Sequence, residues 1–115
     1  NLNIINHINT SDLIINTTPI GMSKYNQEDN INNIIPLGKE IWSDLNHTQT
    51  LYDLIYTPKP TPWLQLGASK GCNIIDGLEM LIQQGAASLR IWTGIEEIPI
   101  TIMREAAEVQ LNLYN

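Results

Sequence analysis

The sequence predicts an α/β fold built around a parallel sheet, and two observations support this. Three short runs rich in β-branched residues alternate with segments that have helical spacing, which is the order of elements in βαβ units. The first of these runs, Leu13–Ile15, is continuously apolar, as is typical of a strand covered on both faces of a parallel sheet. A chain of 115 residues is long enough for one compact domain and too short for two of ordinary size.

Composition and charge exclude several classes of protein. Hydrophobic residues make up 43% of the chain, which suits a globular core and excludes wholesale disorder. The net charge of −6 argues against nucleic acid or an anionic membrane surface as the main partner. No apolar run reaches the roughly 18–20 residues of a membrane helix, and no signal peptide is recognisable. Since Cys72 is the only cysteine, we expect a reducing, cytoplasmic location.

The first part of the chain is predicted to contain the end of a helix, within residues 1–10, then a strand and a long loop. The strand Leu13–Ile15 leads into Asn16-Thr17-Thr18-Pro19. Short polar side chains at the carboxyl end of such a strand are where α/β folds bind ligands, although an ordinary strand-ending turn has the same composition. Residues 23–34 are expected to form an exposed loop. Its acidic pair, Glu28 and Asp29, is interpreted as solvated, and His7 and His47 have no partners at metal spacing, so no metal site is predicted.

The middle of the chain is predicted to form a short helix within Ile35–Leu45, opened by Pro36, and then two further strands. The second strand is Thr50–Tyr56, which places the Tyr56 phenol at the carboxyl edge of the sheet. A proline-rich break follows. Thr61 as N-cap and Pro62 as the first helical residue then predict a helix that ends at Gly71, and Cys72–Ile75 forms the third strand.

A longer helix is predicted between Asp76 and Gly94. Asp76 is a candidate for capping free amides, Gly77 lets a ligand approach the backbone closely, and Gly94 is the expected C-terminal cap. Gly85 narrows the helix where another element could pack, and the amide of Gln84 could bind a hydroxylated ligand. The predicted apolar stripe consists of Leu78, Leu81, Ile82, Gly85, Leu89 and Trp92.

The last predicted helix begins after Pro99 and runs from Ile100 to about Leu113. Arg104 and Glu108 lie one turn apart in the less favourable order, so their pairing is expected to add only tenths of a kcal/mol. The residues spaced to cover a sheet face are Ile102, Met103, Ala106, Val109 and Leu113.

Three segments of the chain resemble the shikimate dehydrogenase family. Residues 12–22, Asp-Leu-Ile-Ile-Asn-Thr-Thr-Pro-Ile-Gly-Met, are similar to the strand and loop that face the dinucleotide, Asn-x-Thr-x-x-Gly-Met. Residues 53–64 have the family pattern Asp-x-x-Tyr-x-Pro-x-x-Thr-x-x-Leu with every fixed position present. Residues 77–84 resemble Gly-Leu-x-Met-Leu-x-x-Gln, and Trp92-Thr93-Gly94 resembles the Trp-x-Gly that follows. The segments occur in family order, and the resemblance spans nearly the whole chain, from Asp12 to the final helix.

The resemblance implies both a fold and an activity. The fold would be the distal half of a Rossmann-type nucleotide-binding domain plus C-terminal helices. Residues 1–115 would form a partial NADP-binding domain, with the family's helical segment from about residue 72 to 115. The activity would be the reversible, NADP-dependent reduction of 3-dehydroshikimate to shikimate, a step of chorismate and aromatic amino-acid biosynthesis, with a homodimer expected for the full-length protein.

Carried over residue by residue, the resemblance assigns substrate contacts to Tyr56 and Gln84. It assigns cofactor contacts to Gly77, Leu54 and Thr17. The family's catalytic Lys and Asp belong to an N-terminal substrate domain that this sequence does not contain, and its Gly-rich phosphate loop is likewise missing. We therefore expect a fragment that is inactive alone, and we place no general acid or base within it.

Two alternatives remain open at the level of sequence. A quinate or quinate/shikimate dehydrogenase that uses NAD would carry the same segments, because the loop that discriminates the cofactors is outside this chain. A non-catalytic α/β module would instead bind partners through an unpaired strand at the edge of its sheet.

Overall fold

The computed structural model describes residues 2–22 and 34–112. The chain divides into two compact units, residues 1–76 and residues 77–115, and each is described separately. The acidic pair Glu28 and Asp29, and Leu113, lie outside the described residues. The helices and strands are α1 (Leu2–Thr10), β1 (Leu13–Asn16), a 3₁₀ helix (Lys39–Trp42), β2 (Thr50–Asp53), α2 (Pro62–Ser69), β3 (Asn73–Ile75), α3 (Leu78–Thr93) and α4 (Ile100–Asn112).

The first unit contains a three-stranded sheet in the order β1-β2-β3, with both pairs of strands parallel. This confirms the predicted fold class. In the register of the sheet Ile15 pairs with Tyr52, and Tyr52 pairs with Ile75. The crossover from β2 to β3 runs through α2, as expected for a βαβ unit.

Helix α2 begins as the sequence predicts and packs on β2 and β3. Thr61 is its N-cap, with the hydroxyl accepting the amide of Leu64, and Pro62 is its first residue. Gly67 faces the sheet, where a Cβ atom would collide with the side chain of Leu51. The helix ends at Ser69, and the turn that follows passes through Gly71 at φ +86°.

The core of the first unit joins α1, the 3₁₀ helix, β2 and α2. Trp42 and Trp63 meet edge to face, with ring centroids 5.2 Å apart, and the Trp42 indole donates to the carbonyl of Pro36 at 2.7 Å. The helix predicted within residues 35–45 shortens to the single 3₁₀ segment, because Leu37 (φ 63°) and Gly38 (φ 82°) interrupt the helical backbone. The buried cluster contains Ile8, Ile35, Trp42, Leu45, Leu51, Trp63, Leu64 and Cys72.

Within the first unit, the described residues cover only one face of the sheet. Leu13 is 52% exposed and Ile15 is 47% exposed, whereas Ile14 packs against the core cluster. The prediction that Leu13–Ile15 is covered on both faces is therefore wrong for this part of the chain. Side chains alternate along a strand, and α2 lies on the side of Leu51, so the residues on the opposite side face outward.

The second unit consists of α3 and α4, which contact each other. Gly94 caps α3 in the left-handed conformation (φ 71°), and its amide donates to the carbonyl of Arg90, as predicted. The prediction of close packing at Gly85 is also confirmed, because a Cβ atom there would lie 3.3 Å from the Met103 methyl group. The helix begins one residue later than expected, with Gly77 as N-cap and Asp76 outside it.

Two predictions about apolar residues in this unit are wrong. Trp92 is 77% exposed, because the buried residues of α3 (Leu78, Ile82 and Ala86) follow a stripe that does not extend to it. Helix α4 has no buried residue, and Ile102 and Val109 are each about two-thirds exposed, so the predicted burial of these two side chains is wrong. Among residues 2–22 and 34–112, no helix has the length and apolarity needed to cross a membrane.

Arg104 pairs with α3 rather than with Glu108 of its own helix. Its guanidinium makes two hydrogen bonds to the carboxylate of Glu79, at 2.7 and 2.8 Å. These bonds, and a further one from Gln83, lower the pKa of Glu79 from its ordinary value of 4.5 to about 2. This bidentate pair joins α3 to α4 between residues that are 25 positions apart in sequence.

Acid is therefore expected to weaken the pairing of the two helices only at low pH. Since the folded pKa of Glu79 lies below its unfolded value, the pair stabilises the fold above about pH 4.5, and this stabilisation is lost as the pH falls through about 2. Glu79→Gln should remove this acid dependence, and 1 M salt should weaken it, since both side chains are partly exposed. Urea unfolding followed by circular dichroism at pH 7 and pH 2, with and without 1 M salt, measures the effect of the substitution and the effect of salt on the acid dependence.

The matched control is Glu105→Gln, which changes the same charge at an exposed position of α4. It should leave the acid dependence as it is in the parent chain. If Glu79→Gln has the same acid dependence as the parent chain, the salt bridge does not contribute.

Candidate functional site

Polar side chains meet at the carboxyl ends of β1 and β2, within the first unit. Asn16 ends β1 and Asp53 ends β2, and the two residues are paired in the sheet register. The Asn16 amide nitrogen donates to Asp53 Oδ1 at 3.1 Å and to the carbonyl of Ile20 at 3.3 Å. The Asn16 amide oxygen accepts the backbone amide of Thr18 at 3.0 Å and its hydroxyl at 2.7 Å. Asn16 therefore shapes the loop after β1 and ties it to β2.

Asp53 is the buried centre of this polar network. Its side chain is fully buried and accepts hydrogen bonds from Asn16, from the amide of Ile55 at 3.1 Å and from the hydroxyl of Thr61 at 2.8 Å. The Thr61 hydroxyl in turn accepts the amide of Leu64 at 3.3 Å, which caps α2. Burial raises the pKa of the Asp53 carboxyl, and the hydrogen bonds from Thr61, Ile55 and Asn16 act in the opposite direction.

The Asp53 turn also corrects the predicted position of Tyr56. The strand was predicted to end at Tyr56, but β2 ends at Asp53, because the Asp53 carboxylate takes the amide of Ile55 and turns the chain out of the sheet. Tyr56 therefore lies three residues past the strand, in the loop, where it is half-buried.

A cavity of about 310 Å³ lies between the loop after β1 and the loop after β2. It contains three of the predicted site residues, Thr17, Leu54 and Tyr56, which two separate motifs supplied. Its walls are mostly apolar, with hydroxyl groups among them, which is the lining typical of small-molecule sites. The residues that line it are Thr17, Thr18, Pro19, Met22, Leu54, Ile55, Tyr56 and Thr57.

A salt bridge connects the loop after β2 to the end of β3. The Lys59 ammonium lies 3.5 Å from the carboxylate of Asp76, which directly follows β3. Lys59 is exposed and belongs to the proline-rich turn between Tyr56 and Thr61. The ion pair therefore holds the loop after β2 at Lys59, while the Asp53 network holds it at Ile55 and Thr61.

The remaining two predicted site residues belong to the second unit. Gly77 directly precedes α3 and is buried, and Gln84 lies midway along α3 with its side chain exposed. The neighbouring Gln83 donates to Glu79 at 2.9 Å. A shared cleft formed by Tyr56 of the first unit and Gln84 of the second stays a prediction.

Sequence reasoning did not assign a role to Asn16, Asp53 or Thr61 as a set. Each is nevertheless a fixed position of the motifs quoted above, and Thr61 was identified as a cap. A signal was available, because Asn16 follows the apolar run Leu13–Ile15 and Asp53 is a charged residue in the middle of the predicted strand Thr50–Tyr56, where burial would require hydrogen-bond partners. Within residues 2–22 and 34–112 no group of His, Cys, Asp or Glu side chains is arranged to hold a metal ion.

The chain is similar to known proteins along most of its length. Residues 77–108 match the family described as the C-terminal domain of shikimate 5'-dehydrogenase. A shikimate dehydrogenase (NADP(+)) of Prochlorococcus marinus (strain MIT 9312) is 50% identical over 99 residues, which cover 86% of this chain and 34% of that protein. The chain therefore spans about a third of the length of the curated relatives it matches.

Two solved structures share the fold. A shikimate dehydrogenase in complex with NADP+ is 36% identical, with a TM-score of 0.74, and the match covers 90% of this chain and 33% of that one. A quinate dehydrogenase from Corynebacterium glutamicum in complex with NAD is 28% identical, with a TM-score of 0.71, and the match covers 89% of this chain and 32% of that one.

Proposed function

We propose a function for this chain from the family to which it belongs, the shikimate dehydrogenases, of which it represents the C-terminal portion. The complete protein would be a cytoplasmic enzyme that reversibly reduces 3-dehydroshikimate to shikimate with NADPH. Residues 1–115 would be part of its NADP-binding domain, with the family's helical segment from about residue 72. The full-length protein would act as a homodimer on a small hydroxylated acid.

The observation that carries this proposal is the cavity between the loops after β1 and β2. It brings together Thr17, Leu54 and Tyr56, which the family motifs assign to cofactor and substrate. Its volume of about 310 Å³ and its mostly apolar walls suit the nicotinamide ring of a dinucleotide. In the same assignment Gly77, which has no side chain, would let the cofactor approach the start of α3.

The residues of this chain would bind and orient the reactants, and the dinucleotide would supply the hydride. Tyr56 would offer its phenol to a hydroxyl or carboxylate of the substrate, and Gln84 would donate and accept from the helix. Leu54 and Thr17 would hold the nicotinamide ring. The groups that move the substrate proton, a Lys and an Asp in the family, would be supplied by an N-terminal domain, so we expect the 115-residue chain alone to be inactive.

An absorbance assay tests the proposal with the complete gene product. Shikimate and NADP should produce NADPH, measured at the reduced nicotinamide band, and the 115-residue chain at the same concentration should produce none. A complete protein that does not turn over shikimate with either nicotinamide cofactor would sink the proposal.

Quinate with NAD is the second candidate, because a structural neighbour at a TM-score of 0.71 is a quinate dehydrogenase in complex with NAD. Relatives that are 46 to 50% identical are named shikimate dehydrogenase (NADP(+)), which favours shikimate and NADP. The same assay with the four combinations of shikimate or quinate and NADP or NAD separates the two by their kcat/KM values. If no combination shows turnover, the non-catalytic binding module remains.

A further inference from the structure

We propose that Asp53 is a positioning residue, whose buried carboxylate locks the loop after β1 and the loop after β2 together so that Thr17 and Tyr56 line one cavity. It receives hydrogen bonds from Asn16 of the first loop, from the Ile55 amide of the second loop and from Thr61 at the start of α2. The kinetic part of this inference rests on the proposed function, whereas the structural part does not.

The separation of Asn16 and Asp53 in sequence shows why hydrogen bonds between the two loops are needed. Asn16 and Asp53 are 37 residues apart in sequence, and the loops they begin leave the sheet side by side. Among the described residues, the ladder between β1 and β2 continues past Asn16 and Asp53 only through the amide of Leu54, which donates to the carbonyl of Asn16 at 3.2 Å. Side-chain hydrogen bonds therefore take the place of the backbone hydrogen bonds of the sheet where the two loops diverge to form the cavity.

A carboxylate suits this position better than a neutral amide. An ionised carboxylate only accepts hydrogen bonds, and all three of its neighbours here are donors. An asparagine would present one amide group to these three donors, so that at least one donor would lose its acceptor. Burial of the Asp53 charge has a desolvation cost, and the three hydrogen bonds offset this cost. The net contribution of Asp53 to the free energy of unfolding is therefore expected to be small, and its main effect is on the geometry of the loops.

Three backbone amides report on the network. The Thr18 amide is bonded to Asn16, the Ile55 amide to Asp53 and the Leu64 amide to Thr61. Thr18 is the decisive reporter, because it lies on the loop after β1 and has no bond to Asp53 itself. If the carboxylate locks the two loops, a change at residue 53 must speed hydrogen exchange at Thr18 as well as at Ile55.

The experiment compares Asp53→Asn with the control Asp12→Asn in the complete protein by residue-resolved hydrogen exchange. Asp12 is an exposed aspartate at the other end of β1, so the control makes the same chemical change away from the cavity. We expect Asp53→Asn to speed exchange at both Ile55 and Thr18 by about tenfold, the order expected for one lost buried hydrogen bond. Faster exchange at Ile55 with no change at Thr18 would overturn the proposal, as would unchanged exchange at both.

A second pair of variants keeps the test open if Asp53→Asn does not fold. Thr61→Val removes the hydroxyl that donates to Asp53 while keeping the shape of the side chain, and Thr61→Ser retains that hydroxyl. Thr61→Val should speed exchange at Ile55 and Leu64, and Thr61→Ser should restore both amides to the rate of the unchanged protein. If the two variants exchange alike, the hydroxyl has no part in the lock.

Kinetics then separate positioning from a merely structural role. We expect Asp53→Asn and Thr61→Val to raise the KM for the dinucleotide about tenfold, while kcat at saturation changes less, because the loops can still close on bound cofactor. Thr61→Ser should recover the KM. A loss of kcat with an unchanged KM for the dinucleotide in these variants would contradict the lock. If the complete protein without substitutions shows no turnover, the proposed function is wrong, but the hydrogen-exchange result still tests the lock.

Discussion

Replacing Tyr56 with Phe in the complete protein is expected to lower kcat/KM for shikimate by about tenfold, and Gln84→Ala should lower it by a similar factor. In the proposed assignment each substitution would remove one hydrogen bond to the substrate, which is worth about 1.4 kcal/mol in a desolvated site. The KM for the dinucleotide should change little, because neither side chain is assigned to the cofactor. Steady-state kinetics with shikimate varied at saturating NADP measure both effects.

The double variant tests whether Tyr56 and Gln84 act on one ligand. If both side chains hold the same substrate, the loss in the double variant should differ from the sum of the single losses by at least about 0.5 kcal/mol, as is usual for residues that share a partner. Tyr52→Phe and Gln83→Ala are the matched controls. Tyr52 lies on β2, and Gln83 is the residue before Gln84, with its amide bonded to Glu79.

These outcomes decide whether the first and second units contribute to one cleft. Strictly additive losses would place Tyr56 and Gln84 at independent sites, and an unchanged kcat/KM for either single variant would remove that residue from the substrate site. A loss in the controls as large as in the variants would show that the substitutions act on stability instead.

The second large effect is expected at Gly67, the residue where α2 touches the sheet. Gly67→Val should destabilise the first unit by about 3 kcal/mol or more, the upper range for overpacking a core. A Cβ atom at this position collides with the side chain of Leu51, which is fully buried and held in the sheet between β1 and β3. Urea unfolding measured by tryptophan fluorescence gives the loss, since Trp42 and Trp63 lie in the same core.

Two further variants separate the collision from any general effect of replacing glycine in a helix. Gly67→Ala combined with Leu51→Ala should be less destabilising than the sum of the two single changes, because the smaller residue at 51 makes room for the new methyl group. Gly85→Ala should be neutral or stabilising by up to about 1 kcal/mol, because only the flexible end of Met103 is near and alanine favours the helix. If Gly67→Val and Gly85→Ala had equal effects, the close approach of α2 to Leu51 would not matter.

Much of the local structure could be predicted from the sequence because it depends on neighbouring residues. The N-cap at Thr61 with Pro62 after it, and the C-cap at Gly94, are each set by a few consecutive side chains and backbone angles. The parallel order of the three strands also follows from the alternation of strands and helices. Three of the predicted site residues, Thr17, Leu54 and Tyr56, line one cavity, and their roles in binding stay predictions.

The errors have a common physical origin in burial and packing, which the local sequence pattern does not determine. The end of β2 moved from Tyr56 to Asp53 because a buried carboxylate captured the amide of Ile55. Trp92 has helical spacing that matched an apolar stripe, but no described residue covers it. The spacing of apolar residues identifies which side chains can be buried. Whether a given side chain is buried depends on a packing partner elsewhere in the fold.

The sequence by itself determined the α/β class of this protein, the order of its elements and the family motifs at the loops after β1 and β2. Only the tertiary structure decided that Asn16, Asp53 and Thr61 form one buried network, and that Arg104 pairs with Glu79 instead of Glu108. The reason is that hydrogen bonds between residues 25 or 37 positions apart depend on how the chain folds back on itself. Propensity and periodicity describe the chain only over the length of a single helix or strand.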